Sequence, residues 1–181
     1  MIIIVVLIVT LINNIVLINA KIPSESMENT IMTGDRIFGC RLSYGLNIDF
    51  LGHKINKKFR EPQRFDIIIF KYPDDESQLY IKRIIGLPGE KVQIINGKVY
   101  INDSETPLDD SFTAEMPRGN FGPYEVPEDS YFVMGDNRNN SKDSRYWKTS
   151  HFVTFDEIVG KAVIRYYPSI KLLNHYKEKE Q

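Results

Sequence analysis

An almost unbroken apolar run from Ile2 to Ile18 opens the chain and restricts what this part can fold into. As a helix, the run would be roughly 25 Å long, slightly short of the roughly 30 Å hydrocarbon core of a bilayer. Asn13 and Asn14 are unfavourable in lipid, although less so than a charge. A cleaved signal peptide usually has a basic start and a small-residue cleavage site, and neither is clear here. We therefore predict one transmembrane anchor helix over residues 1–20, with a cleaved signal or a buried soluble helix as alternatives.

Charge and cysteine content narrow the function of the rest of the chain. The formal net charge is −1, which gives no indication of a nucleic-acid or anionic-lipid binder. The single cysteine, Cys40, excludes an intrachain disulfide, and the three histidines lack the spacing of metal ligands. No metal and no cofactor are expected. Lys21 follows the apolar run and no Lys or Arg precedes it, so charge does not favour an outside domain, but this rule is weak for long translocated domains.

Beyond the anchor, the sequence has the pattern of β-strands separated by turns. Asn96-Gly97 lies between two short apolar runs and predicts a hairpin with a type I′ turn. Segment 102–129 contains four prolines and little periodicity, so we interpret it as an insertion or cap, and we expect the charged tail 171–181 to fray. These features predict a mainly β protein, with an antiparallel β-sheet catalytic core in residues 21–170. Strands are expected at 65–70, 79–85, 92–95, 98–101, 131–134 and 158–167.

Lys82 is the most unusual residue in these predicted strands. It is adjacent to Arg83, so on a strand the two side chains face opposite ways. A lysine that faces a core is rare unless it is paired or functional. Burial would lower the pKa of its amine and make it a base able to activate a serine. The strand alone is equally compatible with Lys82 on the wet face and Arg83 buried.

The stretch "GDNRNNSKDSRYW" at 135–147 is crowded with polar side chains directly after a predicted strand. Ser141, Asp143 and Arg145 are spaced two residues apart, as are Asp136 and Arg138. Such a loop can supply a hydroxyl that orients an amine and a carboxylate-guanidinium pair that braces it. A polar turn with solvated ion pairs is the commoner outcome for this composition.

Taken together, the polar stretches closely resemble the sequence boxes of bacterial type I signal peptidases, also called leader peptidases. The resemblance extends from the anchor to about Tyr167. Its most specific parts are "PSESM" at 23–27, "YIKR" at 80–83 with "GLPG" at 86–89, and "GDNR" at 135–138 through "SKDSR" at 141–145. It implies a membrane-bound serine endopeptidase that removes signal peptides from secreted preproteins after Ala-X-Ala-type small residues. The resemblance also implies a monomer in the cytoplasmic membrane with its catalytic domain on the extracytoplasmic side, and contact with the lipid bilayer.

The resemblance assigns roles to individual residues. Ser26 would be the nucleophile and Lys82 the general base, a Ser-Lys dyad. The Ser26 backbone N–H and the Ser24 hydroxyl would form the oxyanion hole. Ser141 would orient the lysine amine, the Asp143–Arg145 pair would support it, and Asp136 and Arg83 would belong to the same polar shell. The substrate would lie extended between the strand before the serine and the strand that carries the lysine, against Ile22, Pro23, Met27, Tyr80 and Ile81.

The chain departs from the family pattern in two places. Asn29 occupies a position two residues after Met27 where the family often has proline, and segment 102–129 is short, which suggests that a second β domain is reduced to a cap. Three other interpretations were open: a self-cleaving repressor, a tethered peptide-binding module, and a pilus assembly or processing factor. The apolar start disfavours the first and a lysine inside a strand disfavours the second. A catalytically dead pilus factor would be expected to lose Ser26 or Lys82, and both are present.

Overall fold

Two antiparallel sheets and one hairpin make up the protein, as seen in a computed structural model that describes residues 15–50, 53–113, 115 and 117–173. The larger sheet has eight strands in the order β1-β2-β12-β5-β6-β10-β11, with β13 paired to β12. The prediction of a mainly β, antiparallel fold is therefore confirmed. The strands of this sheet are β1 (Leu17–Lys21), β2 (Arg36–Cys40), β5 (Ile67–Tyr72), β6 (Asp75–Gly86), β10 (Ser130–Met134), β11 (Val153–Thr154), β12 (Ile158–Tyr167) and β13 (Lys171–Leu172). The separate hairpin pairs β3 (Gly45–Phe50) with β4 (His53–Lys58).

The end of the predicted anchor differs from the structure. Leu17–Lys21 is strand β1, which pairs with β2 from Leu17 opposite Cys40 to Lys21 opposite Arg36. Leu17 and Ile18 belong to the oily run in the sequence, so the sequence did not indicate that they pair as a strand. Residues 1–14 of the predicted anchor lie outside the described residues. Within the described part of the chain, no helix is both long enough and apolar enough to cross a bilayer.

The segment predicted as an insertion or cap contributes a strand to a second sheet. This three-stranded sheet has the order β8-β7-β9, in which β7 (Lys91–Ile95) and β8 (Lys98–Ile101) form the predicted Asn96-Gly97 hairpin. Both turn residues have positive φ, +49° at Asn96 and +80° at Gly97, as a type I′ turn requires. The third strand, β9 (Phe121–Glu125), comes from the segment predicted as a cap and pairs with β7. Its sequence, FGPYE, contains Gly and Pro, which conceal a strand.

The larger sheet is buried on both faces. Along β5, Ile67 and Ile69 pack into one hydrophobic cluster, while Ile68 and Phe70 pack into another. β6 pairs with β5 so that Lys82 lies opposite Ile68 and Arg83 opposite Ile67. Consecutive residues of β6 therefore both enter the interior. Lys82 is therefore buried, and the alternative that placed it on the wet face is wrong. Arg83 is buried as well, which neither alternative predicted.

The C-terminal tail is more ordered than expected up to residue 173. Lys171–Leu172 forms β13, which pairs with β12, and Leu173 is buried in the cluster that contains Ile22 and Met27. The charge of segment 171–181 predicted that it frays, but burial of Leu173 and the pairing of β13 hold residues 171–173 on the sheet. The remaining tail residues, 174–181, lie outside the described part of the chain.

Candidate active site

Ser26 and Lys82 meet in the interior, although 56 residues separate them in sequence. Ser26 lies in the loop between β1 and β2 (residues 22–35, called here the Ser26 loop), and Lys82 lies in β6. The Lys82 Nζ is 2.7 Å from the Ser26 Oγ, and it also donates to the Ile81 carbonyl at 2.9 Å. Ser26 is 7% exposed and Lys82 is 3% exposed. A serine hydroxyl in direct contact with a buried amine is the arrangement required for proton transfer between them.

Burial changes the protonation of Lys82. It lowers the pKa of the amine from 10.5 to about 8, while the charges of Asp143 and Asp136 oppose the shift. The Tyr80 ring lies 5.3 Å from the Nζ and also favours the charged form. Lys82 forms no ion pair with the residues that the structure describes. An unpaired amine with this pKa is largely neutral in mildly alkaline solution, so it can accept a proton.

Asn137 hydrogen-bonds to two successive backbone carbonyls of the Ser26 loop. Its N–H donates to the Ser26 carbonyl and its side-chain amide donates to the Glu25 carbonyl, each at 3.1 Å. Next to it, Gly135 permits a close approach, because a Cβ there would lie 2.4 Å from the Ser26 carbonyl oxygen and 2.3 Å from the Ser141 Oγ. Sequence analysis did not single out Asn137 or Gly135 as functional. Their only signal was their place in the "GDNR" box.

The predicted pair of Asp143 with Arg145 forms and is buried, and Asp136 and Arg83, which were expected only to belong to the same polar shell, form a second buried pair. Arg83 makes a two-pronged contact with Asp136, Nε to Oδ1 at 2.8 Å and Nη2 to Oδ2 at 2.6 Å. Arg145 does the same with Asp143, with both distances 2.8 Å. Asp143 also accepts the Gly135 N–H at 3.0 Å, and this bond ties its pair to the strand end beside Ser26. Such pairs fix geometry as well as charge.

Ser141 lies at the site without the contact predicted for it. It is buried, and its Oγ has no hydrogen-bond partner among the described residues. In this conformation the lysine amine bonds to Ser26 and to the Ile81 carbonyl. The orienting role of Ser141 therefore stays a prediction.

Arg138 pairs differently from what its sequence spacing indicated. Its spacing from Asp136 suggested a local pair, but Asp136 is taken by Arg83. Arg138 instead contacts Asp110 at 2.6 Å, and its Nε donates to the Gly135 carbonyl at 3.2 Å. Asp110 belongs to the segment predicted as a cap, so no local pattern indicated this contact.

A groove of about 510 Å³ runs beside the Ser26 loop, between β1 and the outer part of β6. Four of the five residues predicted to contact substrate line it, namely Ile22, Pro23, Tyr80 and Ile81. The fifth, Met27, is fully buried in the cluster beneath the Ser26 loop and is not among the lining residues. Within the described strands, β1 pairs only with β2, and residues 75–82 of β6 pair only with β5. Each strand therefore has one edge available for hydrogen bonds with an extended chain.

The fold and the site together define a β-sheet protein with a buried Ser-Lys pair beside an extended groove. The sequence pattern of the family described as "Signal peptidase, peptidase S26" matches residues 1–167 of the 181-residue chain. The chain therefore belongs to the S26 signal peptidase family, and the resemblance stated above is confirmed.

Individual relatives agree with this assignment. A probable signal peptidase I-2 of Synechocystis sp. is 40% identical over 152 residues, which are 81% of this chain and 62% of the relative. A signal peptidase I of Leptolyngbya laminosa is 39% identical over 83% of this chain and 69% of the relative. The chain thus spans roughly two thirds of the length of these relatives. A signal peptidase I structure from Enterococcus faecalis V583 is 36% identical over 57% of this chain and 98% of that one, with a TM-score of 0.47.

Proposed function

We propose that this protein is a serine endopeptidase that removes N-terminal signal peptides from exported preproteins, with Ser26 as nucleophile and Lys82 as general base. The observation that carries the proposal is the 2.7 Å contact between the Ser26 Oγ and the buried Lys82 Nζ. Family membership supports the reaction class. The alternative role in pilus assembly has no specific observation in its favour.

Acylation begins with neutral Lys82. Its lone pair accepts the Ser26 hydroxyl proton while the Oγ attacks the scissile carbonyl, so the amine becomes an ammonium as the tetrahedral oxyanion forms. The ammonium then gives its proton to the leaving amine of the mature protein. A water molecule activated by the same amine hydrolyses the acyl-enzyme, and Ser26 recovers its proton. Asp143 and Asp136 stabilise the ammonium during each turnover, because their charges favour the protonated form.

The oxyanion is proposed to bind the Ser26 backbone N–H and the Ser24 hydroxyl. The Ser26 N–H donates to no acceptor among the described residues, and Ser24 is exposed at the loop surface. Both donors are therefore available to a substrate. Loss of one such donor typically lowers the rate about 10²-fold or more.

The groove supports a substrate that binds as an extended strand. The free edges of β1 and β6 can both hydrogen-bond its backbone, and the lining at Ile22, Tyr80 and Ile81 meets its side chains. We propose that these walls admit only small side chains at two positions before the scissile bond, as in an Ala-X-Ala site. Larger side chains would be rejected by steric overlap.

The proposed location is the extracytoplasmic face of the cytoplasmic membrane, with one span in the apolar N-terminal run. Ser169 is exposed in the structure and lies far along the chain from this run. In a Cys40→Ser background, Ser169→Cys should react with a membrane-impermeant thiol reagent on intact cells, or on spheroplasts if an outer envelope blocks access. Protection in sealed spheroplasts would place the domain in the cytoplasm.

The activity is tested by incubating the full chain with a preprotein that carries an Ala-X-Ala site and weighing the products. Cleavage directly after the second Ala is expected. Ser26→Ala is the matched control and should leave the preprotein intact. An intact preprotein with the parent enzyme, or equal cleavage by Ser26→Ala, would reject the proposed function.

A further inference from the structure

We infer that the segment at residues 107–113, called here the cap strap, positions the Ser26 loop for catalysis, with Phe112 as its principal positioning residue. The strap belongs to the part of the sequence that resembles no family box, and neither Phe112 nor Asn29 has a role in the proposed mechanism. The inference deepens the proposed function, and its kinetic arm rests on that function.

The Phe112 ring lies against the guanidinium of Arg83. The Arg83 Cζ lies 4.3 Å from the centre of the Phe112 ring, within range of a cation–π contact. The ring also meets Phe65 edge-on at 5.5 Å, and the Arg138 Cζ lies 5.7 Å from its centre. One aromatic side chain thus lies beside two of the arginines near the site, Arg83 and Arg138.

The strap also contacts the Ser26 loop directly. The Asn29 side-chain amide donates to the Phe112 carbonyl, and the Arg83 Nη2 donates to the Thr30 Oγ1 at 3.3 Å. Asn137 holds the Glu25 and Ser26 carbonyls from the other side. The loop is therefore held at Glu25 and Ser26 by Asn137, and at Asn29, after the serine, by the strap.

The strap is itself anchored at two points. The Leu108 N–H donates to the Val99 carbonyl of β8 at 2.7 Å, and Asp110 receives the buried Arg138 at 2.6 Å. Arg138 in turn donates to the carbonyl of Gly135, the same residue whose N–H donates to Asp143. The strap therefore connects β8 to Gly135 through Arg138, and to the Ser26 loop through Asn29.

Asn29 explains why this chain can use such a contact. Its φ is +88°, a region that asparagine tolerates and that proline, fixed near −65°, cannot enter. The residue that replaces the family's frequent proline therefore gives the loop a different backbone and a side-chain amide that reaches the strap. In this chain, a tertiary contact supplies the restraint that a proline ring supplies locally.

The kinetic experiment compares Phe112→Ala and Asn29→Ala with the parent full chain on the same preprotein. A lost positioning contact should lower kcat about tenfold and leave KM unchanged. Phe112→Tyr should restore kcat, because it keeps the ring over Arg83. Tyr100→Ala is the matched control, since it removes an aromatic ring from the same small sheet without touching the site, and its kcat should stay within about twofold. Equal losses in Tyr100→Ala and Phe112→Ala, or unchanged kcat in Phe112→Ala, would overturn the inference.

A second measurement is independent of any substrate, so it separates failure of the strap from failure of the proposed function. The amides of Glu28, Thr30 and Ile31 are bonded within the Ser26 loop, and their hydrogen exchange reports how often the loop opens. Phe112→Ala should raise the exchange rate of these amides about tenfold, whereas Tyr100→Ala should leave it at the parent rate. Exchange at the parent rate in Phe112→Ala would overturn the inference even if the parent enzyme cleaves preproteins.

Discussion

Two neighbouring cations in β6 have the same burial and opposite surroundings. Lys82 and Arg83 are each 3% exposed. Arg83 is neutralised by a two-pronged contact with Asp136, whereas Lys82 contacts a serine hydroxyl and a carbonyl. A buried charge is stable when it is paired, and a buried amine without a pair loses its proton more readily. Without an ion-pair partner in the described part of the chain, Lys82 is suited to act as a base.

The largest effect is expected when the unpaired cation or its serine is changed. Lys82→Ala and Ser26→Ala should each lower kcat/KM by about 10³-fold or more, and the double variant should be no worse than either, because the two residues act as a unit. Lys82→Arg should be equally inactive, since a guanidinium keeps its proton. Initial cleavage rates of a preprotein decide the matter. Substantial activity in any single variant would show that Lys82 is not the base.

The second prediction concerns folding rather than catalysis. Arg83→Met leaves Asp136 buried without its partner, so the free energy of unfolding should fall by roughly 3–5 kcal/mol. Lys82→Met removes a buried amine that has no ion-pair partner among the described residues, so it should not destabilise the protein at pH 7 and should still be inactive. Denaturant unfolding of both variants measures the difference. If Arg83→Met and Lys82→Met lowered the free energy of unfolding equally, the proposed difference between a paired and an unpaired buried cation would be wrong.

The sequence could predict the strands that are locally regular, and it could not predict what they contact. The runs at residues 67–70 in β5 and 131–134 in β10 are continuous and apolar because both faces of the sheet are covered, and the Asn96-Gly97 hairpin has its own turn signal. β1 was missed because its residues continue an apolar run that favours a membrane helix. β9 was missed because of its Gly and Pro.

In the site, too, residues within a sequence box could be predicted, whereas contacts between distant segments could not. Ser26, Lys82 and the Asp143–Arg145 pair were indicated by a resemblance that covers their boxes, whereas the pairing of Arg83 with Asp136 was not. The contacts of Arg138 with Asp110 and of Asn29 with Phe112 join segments 28 and 83 residues apart. No periodicity or spacing encodes such contacts, because they depend on how the second sheet packs against the first. Even the Arg138 spacing was misleading, since Arg83 competes for the same carboxylate.

A third prediction concerns how burial of the Lys82 amine makes the free energy of unfolding depend on pH. The pKa of Lys82 is about 8 in the folded state and about 10.4 in an unfolded chain, so the unfolded state binds more protons between these values. Parent stability should therefore rise by up to about 3 kcal/mol, relative to Lys82→Met, as pH increases from 8 to 10.4. The full penalty is present below pH 8. A constant stability difference between the two proteins over this range would mean that the amine is not desolvated.

The smallest effect is the pH dependence of cleavage itself, and it tests the same amine during function. Only neutral Lys82 can take the Ser26 proton, and the pKa of about 8 makes the neutral form a minority at pH 7. The kcat/KM value should therefore rise about tenfold per pH unit below pH 8 and level off above it. Asp143→Asn should move the midpoint to lower pH, because the Asp143 charge raises the pKa of the amine. Since Asp143 also binds Arg145, the position of the midpoint is the informative quantity, whatever the maximal rate of the variant. A profile that is flat from pH 6 to 10, or a midpoint that does not move in Asp143→Asn, would assign the proton transfer to another group.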